Sequence, residues 1–268
     1  MTTRIARIGD ADTAYEITGP TDGPVVLLSH CFSADHRFWD AHLPACEGFR
    51  VLRYDTRGHG TSGRPAGPYT LGMLAGDVIG LLDTLAIERV HFAGVSMGGM
   101  IGQTIALDYS SRLASLALIN TTPIYSDEQR IAWRERAAIV MNDGIEVVLE
   151  DLMRRWFTDK AIANNIAGYR YMRDVVCRFA PTSFDAITAA MCELDTLHRL
   201  AEITVPTLVV AAPDDPGVPA QLSSTLAREI PHATLHWLTP ARHLATLEHV
   251  ETFNTILRTH LMAVSEQA

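Results

Sequence analysis

The 268-residue sequence has no run of 18 consecutive apolar residues, so no segment reads as a membrane-spanning helix. Its first ten residues, MTTRIARIGD, lack the apolar stretch of a signal peptide. Cys31, Cys46, Cys177 and Cys192 form no CxxC pair and no zinc-ligand spacing. They read as free thiols of a cytoplasmic protein, and neither a metal nor an organic cofactor is expected. Positive charge is in short supply too. A net charge of −9 argues against nucleic-acid or anionic-membrane partners. There is no internal repeat, no low-complexity segment and no acidic tail. What remains is 47% hydrophobic and 20% charged, an ordinary globular composition with enough chain for a large core.

Residues 4–17 alternate loosely around a Gly-Asp turn, which predicts an opening β-hairpin. Val25–Ser29 is almost wholly apolar, as a strand covered on both faces should be. Further strands are expected at Phe49–Tyr54, Val90–Val95 and Leu113–Asn120, with helices at Thr70–Leu85 and Met97–Tyr109. Strands alternating with helices imply an α/β fold built on a parallel sheet. From Pro123 to about Thr204 the pattern is helical and rich in arginine and aromatics. Alternation then resumes with Thr207–Ala212, a helix over Pro219–Glu229, a strand at Thr234–Leu238 and a last helix from Glu248 to about Met262. This predicts a core domain of residues 1–122 and 205–268, with a helical cap, 123–204, over the carboxyl edge of the sheet. Open α/β sheets bind ligands at that edge.

Gly94-Val95-Ser96-Met97-Gly98 matches G-x-S-x-G. In this motif a serine in a strained turn needs small neighbours, so that strand and helix can pass closely while the hydroxyl projects above the sheet. The motif follows an expected strand and opens an expected helix. A serine alone is a poor nucleophile and needs a base. Of the histidines near the later strands, His243 lies just past the last one, at the carboxyl edge. His30 and His59 also reach that edge, each in a loop with another expected job: an oxyanion donor for the loop of His30, a structural turn for that of His59. The orienting acid is expected after the strand at Thr207–Ala212, where Asp215 begins a D-P-x-x-P run and Asp214 competes with it. Ser96, Asp215 and His243 follow in the chain order of α/β-hydrolases. Backbone N–H groups of Phe32, after the strand Val25–Ser29, and of Met97 are expected to form an oxyanion hole.

The set Y54-D-T-R-G-H-G60, P68-Y-T70, S96-M-G-G-M100, R155-W-F157 and H243-L244 resembles the 3-oxoadipate enol-lactonases of the α/β-hydrolase superfamily. The likeness runs over nearly the whole chain. It implies a mostly parallel eight-stranded sheet flanked by helices, with the cap inserted after the sixth strand. It also implies ring opening of a carboxylate-bearing enol-lactone in aromatic catabolism. A buried carboxylate needs a cation. Arg136 is the best candidate among the cap arginines, because it stands three residues after Trp133 and the lactonases show a similar Trp-x-x-Arg. Cys31 and Trp156 complete the expected substrate contacts. The chain departs from the lactonase pattern at His30-Cys31-Phe32-Ser33, at Ser183-Phe184 and at Arg242, all expected near the pocket. The expected partner is therefore a small ester or lactone, with an oligomer compatible. Two other readings are a general carboxylesterase or perhydrolase-like enzyme, and a ligand receptor on a hydrolase fold.

Overall fold

The computed structural model describes residues 2–266; residues 1, 267 and 268, which close the expected core segments, lie outside the described residues. Eight strands form one sheet: β1 (Arg4–Ile8), β2 (Ala11–Thr18), β3 (Val25–Ser29), β4 (Arg50–Tyr54), β5 (Val90–Val95), β6 (Leu113–Ile119), β7 (Thr207–Ala211) and β8 (Ala233–Trp237). Their order is β1-β2-β4-β3-β5-β6-β7-β8, and β2 alone runs against its neighbours. The apolar strands sit in the middle. Every residue of β5 and β7 is buried, as covering of both faces by helices requires. The edge strand β8 carries the alternating, half-exposed pattern instead.

Helices α1 (Leu71–Thr84) and α2 (Met97–Asp108) follow β4 and β5. Thr70 caps α1 by accepting the N–H of Met73 at 3.1 Å, and every residue of α2 from Met97 to Ala106 is buried. Between β6 and β7 lie five α-helices, α3 (Asp127–Asp143), α4 (Glu146–Trp156), α5 (Asp159–Ala163), α6 (Ala167–Cys177) and α7 (Pro181–Cys192), and a 3-10 helix, Leu197–Glu202. Ser126 and Gln129 open α3 with a reciprocal capping box. The chain closes with α8 (Ala220–Glu229), α9 (Ala245–Glu248) and α10 (Val250–Ser265). Among the described residues no helix is long and apolar enough to cross a membrane.

Most expected elements shift slightly at their ends, and two departures go further. The expected last helix is broken at His249. Glu248 turns away to accept the backbone N–H groups of Thr158 and Arg242, at 3.3 and 3.2 Å, and His249 Nε2 takes a contact of 2.8 Å with the Pro240 carbonyl. Such partners are distant in sequence and leave no periodic trace. A 3-10 helix, His36–Cys46, also follows β3 where no element is expected. It buries Phe38, Trp39 and His42, and His42 stacks edge-on against Phe253 of α10 at 4.9 Å.

The strand order reverses at β3. The chain passes from β3 to β4 on one side and returns to β5 on the other. The loops that leave β3 and β5 therefore diverge above the sheet, and open α/β sheets bind ligands in the crevice this creates.

Candidate active site

Ser96 occupies the turn between β5 and α2 with φ 54° and ψ −112°, a conformation L-residues rarely adopt. The surroundings hold it there. Its N–H donates to Ile119 O at 2.8 Å, and its carbonyl accepts from Met100 N at 3.1 Å and Thr121 Oγ1 at 2.9 Å. The neighbouring glycines are a steric necessity. A Cβ on Gly94 would lie 2.2 Å from Gly98 O, and one on Gly98 would lie 2.4 Å from Ser29 O. Both obstacles are backbone, so neither can swing aside.

His243 approaches from the loop after β8. Its Nε2 lies 2.9 Å from Ser96 Oγ, and its Nδ1 lies 2.7 Å from Asp215 Oδ2. A carboxylate only accepts, so Nδ1 carries the proton and Nε2 is left to accept from the serine hydroxyl. Asp215 is fixed on its other side. Its Oδ1 takes the N–H groups of Gly217 and Val218 at 2.7 and 3.1 Å, and Oδ2 also takes Asn120 Nδ2 at 3.3 Å. Asp214, the competing carboxylate, is exposed. The three side chains converge because β5, β7 and β8 end at the same edge. The loop bearing His243 is further tied to α4 by Leu244 N–H donating to Trp156 O at 3.0 Å.

A cavity of about 110 Å³ opens over Ser96. The residues expected to contact substrate, Cys31, Trp133, Arg136 and Trp156, all line it, as does Phe32 of the expected oxyanion hole. Met97 does not line it; it is fully buried at the first position of α2, where its N–H belongs to the set an α-helix leaves without intrahelical acceptors. The Arg136 guanidinium lies 5.1 Å from the centre of the Trp133 ring, within cation–π range. Arg155, unassigned by the sequence, lines the same cavity. Both arginines bind one carboxylate: Arg136 Nη2 and Arg155 Nε stand 3.1 and 3.0 Å from Asp151 Oδ2. Burial, with Arg155 alongside, lowers the proton affinity of Arg136. Burial pushes the Asp151 carboxyl up, but the hydrogen bond and charge of Arg155, with Arg136 behind it, outweigh this and hold it below its usual range. Two guanidinium groups and one carboxylate leave a net positive charge at the cavity wall. The sequence marks Arg155 by the Arg-Trp-Phe triplet and as one of the cap arginines, among which Arg136 is preferred.

The other two edge histidines buttress the loop after β3. His59 Nε2 accepts the Ser33 N–H at 3.1 Å, and His30 Nε2 accepts the Thr56 N–H at 3.0 Å while its Nδ1 faces Cys31 O at 2.8 Å. Burial lowers the proton affinity of both rings, and their mutual proximity adds to it at His59, so each stays neutral as its acceptor role demands. Arg242 departs from the expected place beside the pocket. It reaches Arg154 O and Phe157 O at 2.6 and 3.0 Å, pinning the end of α4 from outside. Phe184, by contrast, packs edge-on against Phe32 at 4.7 Å.

The chain belongs to the α/β-hydrolase fold family, which matches residues 24–250. Within that family it is similar to the enol-lactonases. It is 30% identical to 3-oxoadipate enol-lactonase 2 of Acinetobacter baylyi over 91% of each chain. The crystal structure of the enol-lactonase from Burkholderia xenovorans is 32% identical with a TM-score of 0.92, covering 97% of this chain and 100% of that one. A protein of Variovorax paradoxus that bears the provisional name carbamate hydrolase RutD is 33% identical, over 94% of this chain and 96% of its own. The family and its lactonase relatives support a hydrolase; among these relatives the substrate differs.

Proposed function

We propose that the chain is a serine hydrolase that opens a lactone or ester carrying a carboxylate, with 3-oxoadipate enol-lactone of aromatic catabolism as the best-fitting substrate. One observation carries this reading: a continuous line of hydrogen bonds from Asp215 through His243 to Ser96, facing a cavity whose wall holds Arg136 and Arg155. His243 takes the Ser96 proton as Oγ attacks the carbonyl carbon. The N–H groups of Phe32 and Met97 receive the developing oxyanion. Asp215 holds the ring in the required tautomer and stabilises the imidazolium. His243 then protonates the leaving oxygen, and the acyl group stays on Ser96. Water, deprotonated by the same imidazole, releases the acid and returns the proton to Ser96. Each group acts twice, and no further reactant is consumed besides water.

The substrate carboxylate is assigned to Arg136 over Trp133, with Arg155 adding charge, while Cys31 and Trp156 shape the apolar wall. The domain division follows: residues 123–204 act as a cap over a core of 1–122 and 205–268. The four cysteines are unpaired, which suits a cytoplasmic enzyme. A substrate panel tests the assignment. Carboxylate-bearing enol-lactones are expected to exceed neutral p-nitrophenyl esters in kcat/KM by about a hundredfold, the worth of one charge-assisted contact. Preference for neutral esters would make the chain a general carboxylesterase. Binding with no turnover of any ester would make it a receptor.

A further inference from the structure

The inserted helices grip the loop after β3 at two points. At one end of the loop, the ring of Phe32 sits edge-on among Trp133, Phe179 and Phe184, with centroids 5.4, 5.4 and 4.7 Å away. At the other, the hydroxyl of Tyr171, on α6, meets three atoms of Asp35. It lies 3.2 Å from Asp35 N, 3.2 Å from Asp35 O and 3.0 Å from Asp35 Oδ1. A phenol has one proton. It accepts the Asp35 N–H and donates to one of the two oxygens, so the loop backbone uses the cap residue as its hydrogen-bond partner. Arg37 completes the clasp, holding the Asp35 carboxylate at 2.6 Å with its guanidinium 5.8 Å from the Tyr171 ring centre.

Between the two grips the loop has little freedom. Ser33 has φ 58°, its N–H is committed to His59, and its hydroxyl donates to Phe32 O at 2.7 Å. Ala34 N–H closes a turn onto Cys31 O at 3.2 Å. The direction of the Phe32 peptide is thereby set from below by the core histidines and from above by the inserted helices.

We propose that Tyr171 is a positioning residue for the oxyanion hole: by clasping Asp35 it holds the Phe32 N–H on the oxyanion and makes the hole depend on the seating of α6. This rests on the serine-hydrolase reading above. Loss of the clasp leaves the Asp35 N–H without its acceptor and lets the loop relax. The donor then moves away from where the charge develops, while the substrate-binding wall formed by α3 and α4 stays in place. An oxyanion donor removed outright costs about 10²–10³ in kcat, and one displaced by about an ångström costs part of that.

The test compares wild type and Tyr171→Phe in two measurements: kcat and KM on p-nitrophenyl acetate, and inhibition by phenylboronic acid. In the boronate adduct a bond forms between Ser96 Oγ and boron, the serine proton passes to His243, and a boron-bound oxygen lies in the hole. The variant is expected to lose about ten- to a hundredfold in kcat, to keep its KM within about twofold, and to bind the boronate correspondingly more weakly. A tyrosine that merely braced the fold would lower the melting temperature and leave kcat and boronate affinity at wild-type values; that result overturns the proposal. Wild-type protein that the boronate fails to inhibit overturns the serine-hydrolase reading itself, a failure distinct from that of the clasp.

Discussion

His243 Nε2 stands 2.9 Å from Ser96 Oγ although 147 residues separate the two in sequence. The closeness follows from topology. β5 and β8 run parallel in one sheet, so the loops that leave them rise on the same edge. The inserted helices add a tether through Leu244 and Trp156.

Asp215→Asn is expected to cost about 10⁴-fold in kcat, because an amide at that place favours the wrong imidazole tautomer. Asp214→Asn should leave activity within about twofold, since its exposed carboxylate faces solvent. Steady-state kinetics on one ester decides the ranking, and the reverse order would move the acid by one residue.

Gly98→Ala should unfold or destabilise the protein by about 3 kcal/mol or more, since its new Cβ would lie 2.4 Å from the carbonyl oxygen of Ser29. Gly76→Ala is the contrasting case. Nothing lies within 4 Å of a Cβ there, so replacing a mid-helix glycine is expected to add about 1 kcal/mol. Urea denaturation of the two variants measures both.

These glycines also show what was legible in the sequence and what was not. The strands of the central sheet were legible because burial on both faces forces continuous apolar runs. The serine turn was legible because close backbone approach demands small residues at fixed offsets. The ends of β7 and β8 could then be read as the sources of an acid and a base. The break at His249 was hidden, because it depends on Glu248 reaching Thr158, ninety residues away in sequence. The pairing of Arg136 and Arg155 on Asp151 was hidden for a similar reason. Arg155 and Asp151 stand four residues apart on α4, a local spacing, but the arm from Arg136 needs α3 and α4 to lie side by side, which no local pattern announces. Arg242 looked like a pocket residue by its place beside His243, yet its long side chain turns outward to α4.

Arg136→Met is expected to raise KM for carboxylate-bearing lactones by about 10²-fold, a loss of about 2–3 kcal/mol, with neutral esters nearly unchanged. Arg155→Met should have a smaller effect of the same kind, because its side chain is about half exposed, 48% against 15% for Arg136. Equal changes for charged and neutral substrates would assign Arg136 to support of α3.

Burial lowers the pKa of His42, His91 and His260 to about 4. In the unfolded chain a histidine titrates near 6.5, so between these values the unfolded state binds more protons and stability rises with pH. Stability is fully present above about pH 6.5 and is lost as the pH falls toward 4, by about 3 kcal/mol for the fully buried His42. Unfolding free energies at pH 7 and pH 5 should show this loss, and His42→Leu should reduce it. A flat profile would contradict the neutral burial of these rings.

The central claim is that Ser96 is the nucleophile, and a covalent label tests it most directly. Wild-type protein treated with a fluorophosphonate and digested should show a single modified peptide by mass spectrometry, with the adduct on Ser96. Ser96→Ala should take up no label and should lose turnover by about a millionfold while keeping its fold. A label on another residue, or a folded Ser96→Ala protein that still hydrolyses ester, would contradict the account.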